Sequence, residues 1–298
     1  MSFSLYFKNP KETIHKVIQK CSWAIPTELY LKNEYYYHMG KKLNLKNPQT
    51  FGEKLQWLKL HDHNLVYHTM VDKYEVKEYV SSVLGAEYVI PLLGVWDKAS
   101  DIEWDKLPNQ FVLKATHAGG GGAVFICKDK NSFDKEKVCK RLQVFLDKID
   151  LYQRNMEWAY KGVPHRIIAE QYMEDFNGQL NDYKILCFKG EPQIVIVDAD
   201  RYIKHKRNFY DKNWNIIPIE SDCESIGESI KKPENLDDML DVARKLSKGI
   251  PFVRVDLYNV KGKIFFGEMT FYPWGGFISF KPDIYNEELG SMIQLPIV

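Results

Sequence analysis

The segment FVRVDLYNVKGKIFFGEMTF, Phe252 to Phe271, reads as two strands turned at Lys261-Gly262-Lys263. A hairpin of this kind commits its neighbourhood to antiparallel sheet. DYKILCFKGEPQIVIVDADR repeats the pattern around Lys189-Gly190-Glu191. QFVLKATH and AVFICKD are strand-like on either side of Gly119, Gly120, Gly121 and Gly122; HRIIAEQYM is a further strand, and EYVIPLLGVW is a short apolar run with a proline. Helical periods lie between them. SFDKEKVCKRLQVFLDKI sets Phe133, Val138, Leu142, Phe145, Leu146 and Ile149 on or near one stripe, and LDDMLDVARKLSKGI stops near Gly249. Up to about residue 85 the chain reads as mainly helical. There Ile14, Val17, Ile18 and Cys21 recur at helical spacing and are expected to face a core, Thr50 and Glu53 form a capping-box pattern, and VDKYEVKEYVSSVLG closes at Gly85. Short hairpins with interspersed helices make an α+β chain; a doubly wound parallel sheet would show regular βαβ alternation.

Composition narrows the function classes. At 298 residues, 45% hydrophobic and 27% charged, the chain has the make-up of a globular protein of one large domain or two smaller ones. Its 41 Lys and Arg against 40 Asp and Glu leave a net charge of +1, which gives no global reason to expect nucleic acid. The 18 Tyr and 7 Trp suit a packed core first, and sugar stacking or a membrane-adjacent surface second. Cys21, Cys127, Cys139, Cys187 and Cys223 form no CxxC pair, so neither a disulfide framework nor a cysteine zinc site is suggested, and a reducing cytoplasm fits. The N-terminus has no apolar core of signal-peptide length. The expected location is cytoplasmic, with the inner face of a membrane left open for the basic, aromatic N-terminus.

Four stretches carry candidate chemistry. Asp256 and Glu268 lie on the two strands of the Gly262 hairpin, where they can stand across from one another. Paired carboxylates in apolar surroundings repel and are costly to desolvate, and a divalent cation removes that cost; solvent-facing carboxylates are the other reading. The four glycines fit neither a P-loop nor a GxGxxG turn into a helix. They suit a flap whose bare N–H groups cradle a polyphosphate, with Lys114 adding charge, and equally a slack hairpin tip. Glu170, Tyr172 and Met173 could line an adenine or simply end a buried strand. Asp182, Lys184, Asp200 and Arg201 lie on or beside apolar strands and would orient phosphates or a substrate carboxylate if they point inward. His61 and His63, two residues apart, do not face each other on a helix, and His117 suits a phosphate contact or a plain turn equally.

Taken in order, these residues resemble the ATP-grasp superfamily, most closely its teichuronopeptide-biosynthesis-like (TupA-like) branch. The resemblance is carried by Lys114, Gly119 to Gly122, Glu170 to Met173, Asp182, Lys184, RVD at Arg254 to Asp256 and GEMTF at Gly267 to Phe271, with NPQTFGEKLQWLKL and VDKYEVKEYV alongside. It implies an ATP-grasp fold, in which two α+β subdomains with antiparallel sheets clamp ATP. A helical segment would span 1–70, a lid subdomain 71–173 and a catalytic subdomain 174–298. Lys114 would contact the α- and β-phosphates, with Lys73 or Lys77 as the earlier lysine of the family. The flap would close over the β- and γ-phosphates as the most mobile part of the nucleotide-free protein. Glu170, Gln171, Tyr172 and Met173 would hold adenine, and Asp182 would belong to the same nucleotide site. Asp256, Glu268 and Thr270 would ligate Mg²⁺, and Arg254, Lys184 and Arg201 would be catalytic. Thr270 stands where dipeptide-forming relatives carry Asn, which puts a second metal ion in doubt.

The implied reaction joins a carboxylate to an amine through an acyl phosphate. By resemblance, the acceptor is a uronic-acid-containing saccharide in surface-polysaccharide biosynthesis, and the donor an amino acid or similar amine. A kinase that stops at phosphorylation and a non-catalytic nucleotide- or glycan-binding protein are the alternatives.

Overall fold

The computed structural model describes residues 10–119, 121–147, 151–175, 180, 182–199 and 206–297. The chain opens with five helices: α1 (Pro10–Lys20), α2 (Thr27–Met39), α3 (Phe51–His61), α4 (Val66–Val71) and α5 (Val76–Leu84). Helix α3 starts where the capping box predicts. The Thr50 side chain accepts from the Glu53 N–H while the Glu53 carboxylate accepts from the Thr50 N–H at 3.1 Å. Gly85, in an extended positive-φ conformation, ends α5.

Two antiparallel sheets follow. The first has four strands: β1 (Leu92–Trp96), β2 (Phe111–Ala115), β3 (Val124–Cys127) and, after helices α6 (Lys135–Leu146) and α7 (Leu151–Asn155), β4 (Ile167–Gln171). Its order is β1-β4-β2-β3. Asp134 caps α6 by accepting the Lys137 N–H. Val138 and Leu142 then meet Phe111, Leu113, Phe125, Ile167 and Ala169 in a core belonging to this sheet.

The second sheet has six strands: β5 (Asp182–Phe188), β6 (Glu191–Ala199), β7 (Lys206–Asp211), β8 (Ile216–Ile217), β9 (Phe252–Val260) and β10 (Lys263–Thr270), ordered β10-β9-β5-β6-β7-β8. Helix α8 (Leu236–Ser247) packs on β5, β6 and β9, and α9 (Ile284–Met292) packs on α3. Both predicted hairpin turns form, with Lys189-Gly190 and Lys261-Gly262 all at positive φ. Period-2 alternation divides this sheet into two faces. Val253, Val255 and Leu257 of β9 and Ile185 and Cys187 of β5 are fully buried, on the side where the Cys187 thiol reaches Ala243 of α8. Each such aliphatic side chain is worth about 1.5–3 kcal/mol of burial. Arg254, Asp256 and Lys184 alternate with them and point to the other face.

The larger core is continuous from this sheet into Phe51, Leu55, Leu58, Met70, Val76 and Val80 of the helical segment. The first helix meets expectation only in part. Ile18 packs against Tyr30 and Leu31, but Ile14, Val17 and Cys21 are exposed, and His15 is buried in their place. Among the described residues no helix is long and apolar enough to cross a membrane.

Candidate active site

The site begins with strand register. Lys184 of β5 pairs with Asp256 of β9, and Asp256 pairs in turn with Glu268 of β10. Residues directly opposite in an antiparallel sheet share a face, so three charged side chains form one row across three strands. The row depends on an irregularity. Phe266 pairs with Leu257, but Glu268 pairs with Asp256, so Gly267 is an extra residue in β10. An unbulged strand would set Glu268 opposite Val255, on the face packed by α8.

Arg254 ties the row together. Its Nε donates to Asp256 Oδ1 at 2.6 Å, and its Nη2 donates both to Asp256 Oδ2 at 2.7 Å and to Glu268 Oε1 at 2.8 Å. Lys184 Nζ donates to Asp256 Oδ2 at 3.0 Å and to Asp182, with Asp198 Oδ2 at 3.9 Å. The Thr270 hydroxyl lies 3.5 Å from Glu268 Oε1. Burial pushes Asp256 up to about 6, against the pull of Arg254 and Lys184. Burial would raise Glu268 too, but Lys73, Arg254, Lys184 and Lys114 together hold it down at about 2. Arg254 loses solvation by burial, and the same two carboxylates more than compensate, keeping it charged.

The first sheet presents a second charged group. Register places Lys114 opposite Ile168 and Glu170 opposite Val112, which sets Lys114 and Glu170 on one face as diagonal neighbours. Lys114 Nζ and Lys77 Nζ each lie 2.5 Å from an oxygen of the buried Glu170 carboxylate. Burial raises Glu170, yet the two lysines lower it on balance. Lys73 links the carboxylate row to the glycine loop. Its Nζ donates to the Ala118 carbonyl at 2.8 Å, at the root of the glycine loop, and lies 3.6 Å from Glu268 Oε2.

The sequence-expected residues thus fall into distinct places. Arg254, Lys184, Asp182, Asp256, Glu268 and Thr270 converge on the second sheet, and Lys73 joins them to the loop beyond Lys114. Gly119 is exposed, and Gly121 and Gly122 enter a single 3₁₀ turn ending at Ala123. Gly120, Asp200, Arg201 and Ile149 lie outside the described residues. Gln171 is exposed and its N–H bonds the Pro91 carbonyl, while the Tyr172 hydroxyl donates to Glu174 and Met173 is half-buried. His117 faces the Phe145 carbonyl at the end of α6 at 3.0 Å, stacked on His165, so it closes a helix end. His63 stacks on Trp158, and His61 packs against Trp57 with the rings tilted by 38°.

Sequence reading missed Asp198 and its partner Arg207 beside the row, and Lys59 at the loop that follows β10. Asp198 accepts from Arg207 Nε at 2.6 Å and faces Lys184. Its signal was a lone carboxylate after the apolar run Ile194-Val195-Ile196-Val197. Lys59 is buried, donating to the Gly275 and Asn155 carbonyls at 2.8 and 2.9 Å. It anchors the loop that follows Thr270, and an α3 stripe offered no signal for that.

Two carboxylates and a hydroxyl are hard oxygen donors of the kind Mg²⁺ takes. Arg254 bridges the two carboxylates, so they already share a positive charge, and the Glu268 side chain is about one third exposed to a second cation. The residues therefore fit a divalent ion.

No curated protein matches the chain. Among solved structures, it is similar to D-alanine–D-alanine ligase from Bacillus anthracis complexed with ATP, at 15% identity over 76% of this chain and 63% of that one, TM-score 0.44. It is also similar to phosphoribosylamine–glycine ligase from Thermotoga maritima, at 12% identity over 69% and 48%, TM-score 0.43. N5-carboxyaminoimidazole synthase from Aspergillus clavatus, complexed with ADP and ribonucleotide, follows at 12% over 68% and 44%, TM-score 0.38. The chain thus spans less than two thirds of each of these proteins. The family profile described as TupA-like ATPgrasp matches residues 53–294, which take in both sheets, the glycine loop and the carboxylate row, and the chain belongs to that family.

Proposed function

We propose that the chain is an ATP-dependent carboxylate–amine ligase. The observation that carries this reading is the registered row Lys184–Asp256–Glu268, bridged by Arg254 and joined by Lys73 to the glycine loop. Five charged side chains converge there, an arrangement suited to positioning substrates and neutralising charge.

In this reading Lys114 and Lys73 face the nucleotide phosphates, with the backbone N–H groups of the glycine loop over them. Glu170 keeps Lys114 and Lys77 in place, and the backbone at Gln171 to Met173 borders the adenine. Asp256, Glu268 and Thr270 hold Mg²⁺, which offsets phosphoryl charge when bound. Arg254 stays charged at any working pH and presents two N–H groups to a developing oxyanion. Lys184 and Arg201 orient the substrate carboxylate. The carboxylate oxygen attacks the γ-phosphorus and ADP leaves; an amine then attacks the acyl carbon, phosphate leaves, and an amide remains. The acceptor we propose is a uronic-acid-containing saccharide of a surface polysaccharide, and the donor an amino acid or similar amine. We place the reaction in the cytoplasm, where an acceptor could be presented at the inner membrane face.

The test is ATP, Mg²⁺ and a panel of uronic acids, with hydroxylamine as the trapping amine. A ligase releases ADP and yields a hydroxamate. ADP without hydroxamate indicates transfer to a hydroxyl, and absence of nucleotide binding, with Lys114→Ala indistinguishable from the native chain, rejects the reading.

A further inference from the structure

Outside this site, the helical segment holds a group with no place in the proposed reaction. Glu34 of α2 is fully buried. Around its carboxylate stand His15 of α1, with Nε2 at 2.9 Å, His38 of α2, with Nε2 at 3.7 Å, and the Gln19 amide at 3.3 Å. No lysine or arginine pairs with it among the described residues.

The hydrogen bonding is short of what a buried carboxylate requires. His15 Nε2 lies 2.9 Å from both Glu34 oxygens but has at most one proton to give. His38 is beyond hydrogen-bond distance, and Glu34 Oε1 accepts no hydrogen bond. A cation equidistant from these atoms would satisfy all of them. One ligand atom from each of His15, Glu34 and His38 falls within 4.8 Å of the others.

We infer that His15, Glu34 and His38 form a binding site for a zinc-class transition-metal ion. Two imidazoles and a carboxylate are ligands zinc takes, whereas Mg²⁺ prefers oxygen alone. Tetrahedral bonds of about 2.0–2.1 Å put ligand atoms roughly 3.3 Å apart. The observed 2.9 and 3.7 Å lie on either side of that spacing. Glu34 and His38, four residues apart, share one helix face. The rings are held by stacking, His15 on Tyr37 at 3.6 Å between centroids and His38 on Phe277 at 4.6 Å. His38 is partly exposed, so a water molecule, or the Gln19 amide oxygen after a flip, completes four-coordination. Zinc here fastens α1 to α2, and through Phe277 secures both to the loop after β10. It also gives a reason for the outward turn of Ile14 and Val17: α1 is rotated to aim His15 at Glu34.

The test uses the full chain, stripped with chelator and titrated with Zn²⁺ against a chromophoric indicator. The expected result is one tight equivalent, weakened at least tenfold in His38→Ala, whose partly exposed side chain can be lost without a core cavity, and in Glu34→Gln. Cys21→Ser and Glu268→Gln keep the tight equivalent, which separates this site from the exposed thiol at the end of α1 and from the carboxylate row. Binding by the native chain no tighter than by His38→Ala, or loss of the equivalent in Cys21→Ser, overturns the assignment.

Discussion

Glu268 stands directly opposite Asp256, one residue out of step with the pairing of Phe266 and Leu257 below them. The bulge at Gly267 therefore decides whether the second carboxylate joins the first or enters the packed core. A Cβ at Gly267 would lie 3.0 Å from the Asp256 carbonyl and 3.2 Å from the Tyr258 ring. Gly267→Val is expected to cost about 1–3 kcal/mol in denaturant unfolding. Its ATP turnover should fall at least tenfold at temperatures where it remains folded, because the row loses register. Native turnover in the folded variant would show that the register is incidental.

Arg254 bonds both carboxylates through a fork that lysine cannot reproduce. Arg254→Lys keeps the charge and should lower kcat by roughly 10²–10³. Nucleotide affinity, read by calorimetry, should change much less than kcat. An equal loss in affinity would make Arg254 a binding residue only.

Glu170 is buried between two lysines. Glu170→Gln leaves Lys77 and Lys114 repelling each other without a counter-charge, at an expected cost of about 3–5 kcal/mol. Lys114→Met leaves Glu170 paired with Lys77 and should cost less stability, while weakening ATP binding more than tenfold. Thermal melts with and without nucleotide separate the two effects.

His117 titrates low because burial penalises its charged form, with His165 and Lys73 adding to that; its pKa falls from 6.5 to about 4. Between those values the unfolded chain binds a proton that the folded chain does not. Stability contributed by neutral His117 is thus present above pH 6.5 and is lost as pH falls toward 4. His117→Gln, which keeps an N–H for the Phe145 carbonyl, should show a shallower acid-side decline in urea unfolding. Parallel declines would assign the acid sensitivity to other groups.

The strands and their turns were legible because a tight turn with Gly after Lys, as at Lys189-Gly190 and Lys261-Gly262, is a local signal. The Asp256–Glu268 pair was legible for the same reason, since a short hairpin limits what can face what. The bulge that sets their facing was not, because Gly267 acts through a close approach to another strand's carbonyl. The Lys77–Glu170–Lys114 group spans a helix and two strands, and its pairings exist only once α5 packs beside β4. The direction of α1 was right for Ile18 but not for Ile14 and Val17, because hydrophobic periodicity assumes the whole apolar stripe is buried. Here the buried Glu34 on a neighbouring helix draws His15 inward instead.

The most direct measurement is calorimetric titration of a non-hydrolysable ATP analogue, with and without MgCl₂, into the native chain and Glu268→Gln. The account predicts one equivalent bound in a Mg²⁺-dependent manner by the native chain, and affinity reduced at least tenfold in Glu268→Gln. Equal affinity in the variant, or binding by the native chain indifferent to Mg²⁺, would contradict it.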